Sequence, residues 1–455
     1  MSELSRETSP PHHSQYALMR ERRFAPFFWT LFLGATNDNI FKVGFTSLLT
    51  FDAAAFGHVD AQSAAFIISA IFILPFVLFS ATSGQIADKY DKATLTRLVK
   101  TFEIAIMVLG TIGYLTHALG VLYVCTFLMG THSTLFGPVK YAYLPQHLRA
   151  DELVGGNGIV ESGTFIAILV GTIAGGEAAS LGTHGALTLS VCCIGVAIAG
   201  RACAGRVPAS PPPANDLAIN WNPFSETWRN LKLAAVDRTL FVSLLGISWL
   251  WFVGATLLTS FFSFAKDVLG ANADVVTMLL ATFSIGIGAG SLLCERLSHR
   301  RVEPGLVPLG AIGMSLFAAD LYFASQQASH AGALLGIGAF LARGVHWRVL
   351  IDLLLLSVAG GIYSVPLYAM IQSRSAPTHR ARMIAANNIL NALFMIVSSL
   401  MALALTAVHV SIPGIYLVTA ALNAVVTGAL FIAVPEFPRR FASWLRGETR
   451  AASPR

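Results

Sequence analysis

Charge is what this chain has least of. Only 12% of its 455 residues are Asp, Glu, Lys or Arg, while 55% are hydrophobic; an ordinary soluble domain carries about 25% charged residues. That scarcity argues against a soluble enzyme and predicts an integral membrane protein with most of its mass in the bilayer. Cysteine is also scarce. Cys125, Cys192, Cys193, Cys203 and Cys294 lie in or beside apolar runs without metal-ligand spacing, so they read as small buried hydrophobes. The sequence has no phosphate-binding loop, no metal-spaced His and Cys set and no nucleophile elbow. No enzyme activity, cofactor or metal is expected, and energy would come from an ion or substrate gradient. A net charge of +6 could suggest nucleic acid, but the charges sit between apolar runs, as membrane orientation requires. Residues 1–23 lack an apolar h-region, so no cleavable signal peptide is expected and the first helix serves as the membrane signal.

Long apolar runs are what the chain has instead. Twelve are legible, at 25–51, 62–82, 96–117, 119–138, 155–179, 184–203, 240–264, 273–294, 305–326, 349–371, 384–408 and 411–434. A helix crosses the hydrocarbon core with roughly 20 such residues. The stretch Ala331–Leu341 is too short to span and reads as interfacial or re-entrant. With both termini in the cytoplasm, the cytoplasmic side holds 26 of the 30 Lys and Arg. The external loops hold only Lys266, Arg343 and Arg348, and Lys42 lies inside the first span. That asymmetry sets the orientation and supports an even number of spans.

The expected organisation is an all-α membrane protein of 12 transmembrane helices in two pseudo-symmetric six-helix halves. It comprises a cytoplasmic tail (1–23), a first bundle (24–203), a cytoplasmic linker (204–239), a second bundle (240–434) and a basic tail (435–455). The linker opens with a proline-rich spacer, Pro208–Pro213. Its segment Ser225–Arg238 mixes Trp228, Leu231, Leu233 and Ala235 with bases, which suits a helix lying on the membrane surface. The tail's Arg439, Arg440, Arg446, Arg450 and Arg455, with Trp444, suit the same surface. The halves echo each other: Tyr141–Gln146 and Gly156–Glu161 in the first, Tyr368–Gln372 and Ala386–Asn391 in the second. Asn157 and Asn387 are 230 residues apart. Parallel duplicated halves are a common build for secondary transporters.

The first span is not uniformly apolar. Its middle reads Asn37-Asp38-Asn39-Ile40-Phe41-Lys42, and a charge at the bilayer centre costs at least about 2.5–3.5 kcal/mol on insertion scales. Asp38 and Lys42, four residues apart, share a helix face. Two readings are open: a self-neutralising pair that merely permits insertion, or a cavity-facing Asp38 that answers Lys140 at the end of the fourth span. Lys42 lies nine residues before Phe51, about 13 Å of helix, so snorkelling to the surface is strained. The amides Asn37 and Asn39 suit a polar cavity better than lipid.

After the second span comes Gly84-Gln-Ile-Ala-Asp88-Lys89-Tyr-Asp91-Lys92. Gly84 permits close helix packing. Asp88 suits a helix N-terminus or a cationic partner, and Lys89 and Lys92 hold the loop inside. The loop reads as a gate that latches one side shut; the plainer reading is a basic loop that only sets topology. The second half offers a looser echo at Gly290–Arg301, with Glu295 and Arg296.

Other polar residues have competing readings. Glu161 could carry a coupling proton, contact a headgroup, cap Lys140, or simply lie near the interface. Glu103 reads as pairing with a local base such as Lys100. Asp320 is isolated in the ninth span, and Asp352, four residues after Arg348, reads as its structural partner. Asn387, Asn388 and Asn391 form an amide stripe that faces the cavity or bonds between helices.

The Gly84–Lys92 loop resembles the characteristic loop of the major facilitator superfamily, although Asp91 stands where that loop usually has a second glycine. Gly34–Asn39, Gly137–Pro145 with Lys140 and Tyr141, Glu152–Glu161 with Asn157, Gly360–Gln372 and Arg380–Asn391 resemble one branch, the bacterial lysophospholipid transporters. The likeness runs over about residues 25–435. It implies transport of lysophosphatidylethanolamine-like lipids across the bacterial inner membrane to the cytoplasmic leaflet for reacylation, by alternating access. Asp38 would take the ammonium, and Lys140 or Lys42 the phosphate. Implied partners are membrane lipids and a separate acyltransferase or acyl-carrier-protein synthetase; the chain would act as a monomer. The family often carries opposed charges in the seventh and eleventh spans. Here Phe241–Phe264 has none, and Asn391 stands at a candidate position in the eleventh.

Two other functions compete. One is a proton-coupled carrier or exporter of a small solute on the same fold. A drug exporter would be expected to carry a basic residue in the fourth span and a Gly-Pro kink in the fifth, both missing here. The other is a non-transporting scaffold for an acyltransferase.

Overall fold

The computed structural model describes residues 14–51, 56, 61–328 and 332–448. Arg450, Arg455, Ala331 and the first 13 residues of the N-terminal tail lie outside these. The described residues are almost wholly helical: α1 (Ala25–Phe51), α2 (Ala61–Lys89), α3 (Lys92–Leu115), α4 (Leu119–His147), α5 (Leu153–Ala179), α6 (Gly185–Ala204), α7 (Pro223–Ala234), α8 (Arg238–Ser263), α9 (Ala273–Leu297), α10 (Leu306–Ala328), α11 (Ile337–Leu341), α12 (Gly344–Arg374), α13 (Arg380–Ala407), α14 (Ile412–Ala433) and α15 (Glu436–Leu445). Apolar surroundings leave a backbone no partner but itself, so these runs close their own hydrogen bonds as helices.

Several helices outlast their apolar runs. The second run ends near residue 82, yet α2 continues to Lys89; the fourth ends near 138, yet α4 continues to His147. Polar residues end an apolar run but not a helix, which stops where a cap or turn intervenes. Asp91 caps α3 through the Thr94 N–H, Asp237 caps α8, and Asn272 caps α9.

Eleven of the described helices are long and apolar enough to cross a membrane. α1 has the length, 27 residues, but Asn37, Asp38, Asn39 and Lys42 lower its hydropathy. α1 packs on α5 and α6, α2 on α4, and α3 on α4 and α6. In the second part of the chain α8 packs on α13, α12 on α9 and α10, and α10 on α14. The two groups meet through α2 against α13 and α5 against α9. Each has its own apolar core, the first around Phe41, Phe45, Leu122 and Met129, the second around Leu244, Leu279, Leu321 and Leu353.

The segment between α6 and α8 is fastened to the first group. The Lys92 N–H donates to the Ser210 carbonyl at 3.2 Å, and the Ala214 N–H to the Asp88 carbonyl at 3.1 Å. Gln85 exchanges two hydrogen bonds with the Asn220 backbone, at 2.9 and 2.7 Å. This face, hereafter the linker end, also carries α7. Trp221, Phe224 and Trp228 are 71%, 76% and 61% exposed there, leaving an aromatic face uncovered by protein.

Candidate functional site

Mid-depth in the first group, α1, α3 and α4 bring polar groups together. The Ser133 hydroxyl donates to Asp38 Oδ2 at 2.6 Å. Asp38 and Lys42 are half-buried, and the Lys42 ammonium lies 4.2 Å from the centre of the Phe72 ring. Asn37 points the other way, into a buried network, and donates to Glu103 Oε1 at 2.7 Å. Glu103 Oε2 is 2.5 Å from Lys100 Nζ and 3.3 Å from His132 Nε2. Asn39 donates to its own helix at the Ala35 carbonyl, 2.7 Å away, so it does not join Asp38.

Lys140 lies seven residues beyond Ser133, on the same face of α4 and about 10 Å along it. Its ammonium is 3.0 Å from Thr164 Oγ1 and 3.7 Å from Glu161 Oε1. The Tyr141 hydroxyl donates to Glu161 Oε1. Lys140 is therefore beside Glu161, and Asp38 beside Ser133. The Tyr141 ring stacks on Tyr368 of α12, with centroids 4.3 Å apart and planes at 6°. One turn further along α12, the Gln372 and Asn157 side-chain amides exchange hydrogen bonds of 2.6 and 3.0 Å.

The amide stripe of α13 divides. Asn387 donates to the Leu244 carbonyl of α8 at 3.2 Å, and Asn391 meets Ser248 Oγ at 2.8 Å. These two join helices of the second group. Asn388 lies against Gly137 of α4, on the side facing the first group.

The gate residues meet α13 at the linker end. Asp88 Oδ1 accepts from the Ala381 N–H at 3.0 Å, and Oδ2 from the Arg382 N–H and Nε at 3.3 and 3.2 Å. The carboxylate thus sits on the positive end of a 28-residue helix. Gly84 makes this approach possible, because a Cβ there would stand 2.6 Å from Ala385 Cβ and 2.9 Å from Arg382 Cα. Lys92 is buried, and its ammonium has no hydrogen-bond partner among the described residues. Lys89 lies beside the exposed Tyr90 ring. In the second-half echo, Glu295 is 3.3 Å from Arg300, and Arg296 is exposed. Gln15 reaches that loop by donating to the Leu292 carbonyl at 3.0 Å.

Two carboxylates at this end are held below their ordinary pKa. Burial opposes the charge of Asp91, but the N–H groups of Thr94 and Ser210, both at 2.7 Å, outweigh it. Burial likewise opposes Glu152, but Arg23, bound through both its terminal nitrogens at 2.7 Å, outweighs it.

An apolar pocket adjoins Glu161 and Tyr368. It is narrow and runs between α5, α8, α9, α10, α12 and α13. Leu250, Trp251, Phe283, Ile287, Met314 and Leu356 form much of its wall.

One pairing differs from the sequence expectation. Arg348 binds Asp320, 2.5 Å away, and not Asp352. Spacing along one helix suggested Asp352, but α10 brings Asp320 across to α12. Sequence reasoning also passed over His132, Ser133 and Arg382. The polar run Thr131–Thr134 inside an apolar helix was a usable signal for the first two; Arg382 looked like one more loop base.

The comparisons with known proteins agree with this architecture. The chain is 26% identical to the lysophospholipid transporter LplT of Pectobacterium carotovorum over 67% of its length and 68% of that protein. It is 27% identical to the Escherichia coli protein of that name, over 75% and 78%. The fold is similar to the Escherichia coli fucose:proton symporter (TM-score 0.66, 14% identity, 90% of this chain and 98% of that one). A human organic anion transporter is similar too (TM-score 0.68, 13% identity, 90% and 99%). The Major Facilitator Superfamily profile matches residues 24–344, and the chain belongs to that superfamily.

Proposed function

We propose that this chain is a secondary transporter that moves lysophospholipids, of the lysophosphatidylethanolamine type, across the bacterial inner membrane to the cytoplasmic leaflet by alternating access. The observation that carries this reading is the set of opposed charges along one wall of α1, α4 and α5. Asp38 with Ser133 and Lys140 with Glu161 are separated along α4 by seven residues, about 10 Å. A zwitterionic headgroup presents an ammonium and a phosphate that such a wall can take at two points: Asp38 the first, Lys42 or Lys140 the second. Tyr141, Asn388 and Glu161 complete the floor. Asn37, Asn39, Asn387 and Asn391 support it by fixing helices.

In this reading α1 is the twelfth span, and α1–α6 and α8–α10 with α12–α14 are the two pseudo-symmetric halves. The linker end is cytoplasmic, with both termini. Asp88, Gly84 and the α13 N-terminus form the gate that closes it, and Asn157 with Gln372 braces it. The protein works as a monomer beside a separate acyltransferase. The test is protein-dependent movement of lysophosphatidylethanolamine in liposomes, and its loss on Asp38→Asn.

A further inference from the structure

From the apolar pocket of the second group we infer a binding site for the acyl chain of the substrate, with Gly254 setting the chain length it accepts. The inference rests on the lysophospholipid reading and locates the half of the molecule that the charged wall cannot hold.

The pocket is bounded by one carboxylate, and apart from Trp251, Ser357 and Tyr368 its lining is hydrocarbon. Glu161, at its edge, is taken by Tyr141 and Lys140. Ser357, in the wall, spends its hydroxyl on the Leu353 and Leu354 carbonyls of its own helix, at 2.8 and 2.9 Å. These two polar groups are taken, and burying a polar solute unpaired against the remaining, mostly apolar wall would be costly. The pocket's narrowness suits a flexible chain better than a ring.

Its place completes the argument. Glu161 belongs to both the charged wall and the pocket, and Tyr368 of the pocket stacks on Tyr141. A molecule with its headgroup between Asp38 and Lys140 therefore has its tail directed past Glu161 toward Phe165, Phe283 and Met314. The absence of charge from Phe241–Phe264 then has a physical use, since α8 supplies much of the pocket wall: a charge there would face the tail.

Gly254 lies on α8 in that wall, and a Cβ built on it would meet no heavy atom within 4 Å. A Cβ at 254 therefore displaces no neighbour, and a longer side chain there would extend into the void. Gly360, also in the wall, has Leu250 and Ile287 side chains within 3.5 Å of a built Cβ, which makes it the less suitable probe.

The experiment uses full-length protein in liposomes and lysophosphatidylethanolamines of short, medium and long saturated chains. Gly254→Leu should shift the short-to-long flux ratio by about tenfold or more toward short chains, because lost methylene contacts discriminate on that scale; Gly254→Ala should shift it little. An unchanged ratio in an active Gly254→Leu protein overturns the inference. Wild-type protein also receives lysophosphatidylethanolamine carrying a diazirine at the chain terminus. Crosslinks to α8, α9 or α10 residues of the pocket support the site even if Gly254→Leu fails to fold. Crosslinks confined to lipid-facing residues outside the pocket overturn it. Absence of wild-type flux would instead strike the substrate reading, and the crosslinks would still decide the pocket.

Discussion

The rings of Tyr141 and Tyr368 lie face to face, 4.3 Å apart and almost parallel, and they open the two stretches of sequence that repeat between the halves. The stack also positions the Tyr141 hydroxyl on Glu161. Tyr141→Phe keeps the stack and frees Glu161 for Lys140, so thermal stability should change little while flux falls. Tyr141→Ala should add a stability loss that includes the stacking contribution, roughly 0.5–1.5 kcal/mol beyond area burial. Melting in detergent, read beside flux, checks both.

The proposed gate depends on contact as well as charge. Gly84→Val places carbon where Ala385 Cβ and Arg382 Cα already stand, so α2 and α13 cannot close. Asp88→Ala keeps the close approach but leaves the α13 N-terminus and Arg382 uncompensated. Breaking a buried pair in this way costs roughly 3–5 kcal/mol, enough to reverse a two-state preference. Both variants should raise the reactivity of a cysteine placed at Ala385 toward a water-soluble thiol reagent. Reactivity equal to the parent would count against the gate.

Asp91 gives the linker end a pH dependence. Its folded pKa lies below the ordinary carboxylate value because Thr94 and Ser210 donate to the ionised form despite partial burial. A depressed carboxylate contributes stability above its unfolded pKa, roughly 3.9, and loses it as pH falls through the folded value. Hydrogen-exchange protection at 210–220, taken relative to the intrinsic exchange rate at each pH, should therefore be flat from about pH 7 to 5 and fall only in stronger acid. Asp91→Ala should raise exchange already at neutral pH, in keeping with a lost cap of about 1 kcal/mol.

Lys100 and Glu103 are buried together, with Asn37 and His132 around them. Lys100→Met strands a carboxylate in an apolar bundle and should cost several kcal/mol, on the order of 3–5. Lys100→Met with Glu103→Gln removes both charges and keeps an acceptor for Asn37. The expected melting order is wild type, then the double variant, then Lys100→Met. A double variant no more stable than the single would show that the unpaired charge is not what destabilises Lys100→Met.

The long apolar helices, and a helix (α7) in the segment between α6 and α8, were legible in the sequence because hydropathy and composition vary along the chain at helix length. The short apolar stretch before α12 appears as α11 with an irregular lead-in, as its length requires. Legibility ended where neighbours in space are distant in sequence. Asp320 looked isolated until α10 and α12 were packed together. Asp91 looked like a misplaced glycine until Ser210 was found bound to it. The apolar pocket was invisible for a different reason: Leu250, Phe283 and Met314 read the same whether they face lipid, core or void.

The central claim is that the charged wall around Asp38 carries a lysophospholipid headgroup, and one measurement meets it directly. Lysophosphatidylethanolamine movement is followed in liposomes holding purified wild-type protein, beside Asp38→Asn and empty liposomes. Asp38→Asn should insert and melt like the wild type, because its only named bond is to a serine hydroxyl, yet move lipid no faster than empty liposomes. Wild-type flux at the empty-liposome level, or an Asp38→Asn protein that transports as well as its parent, would contradict the account.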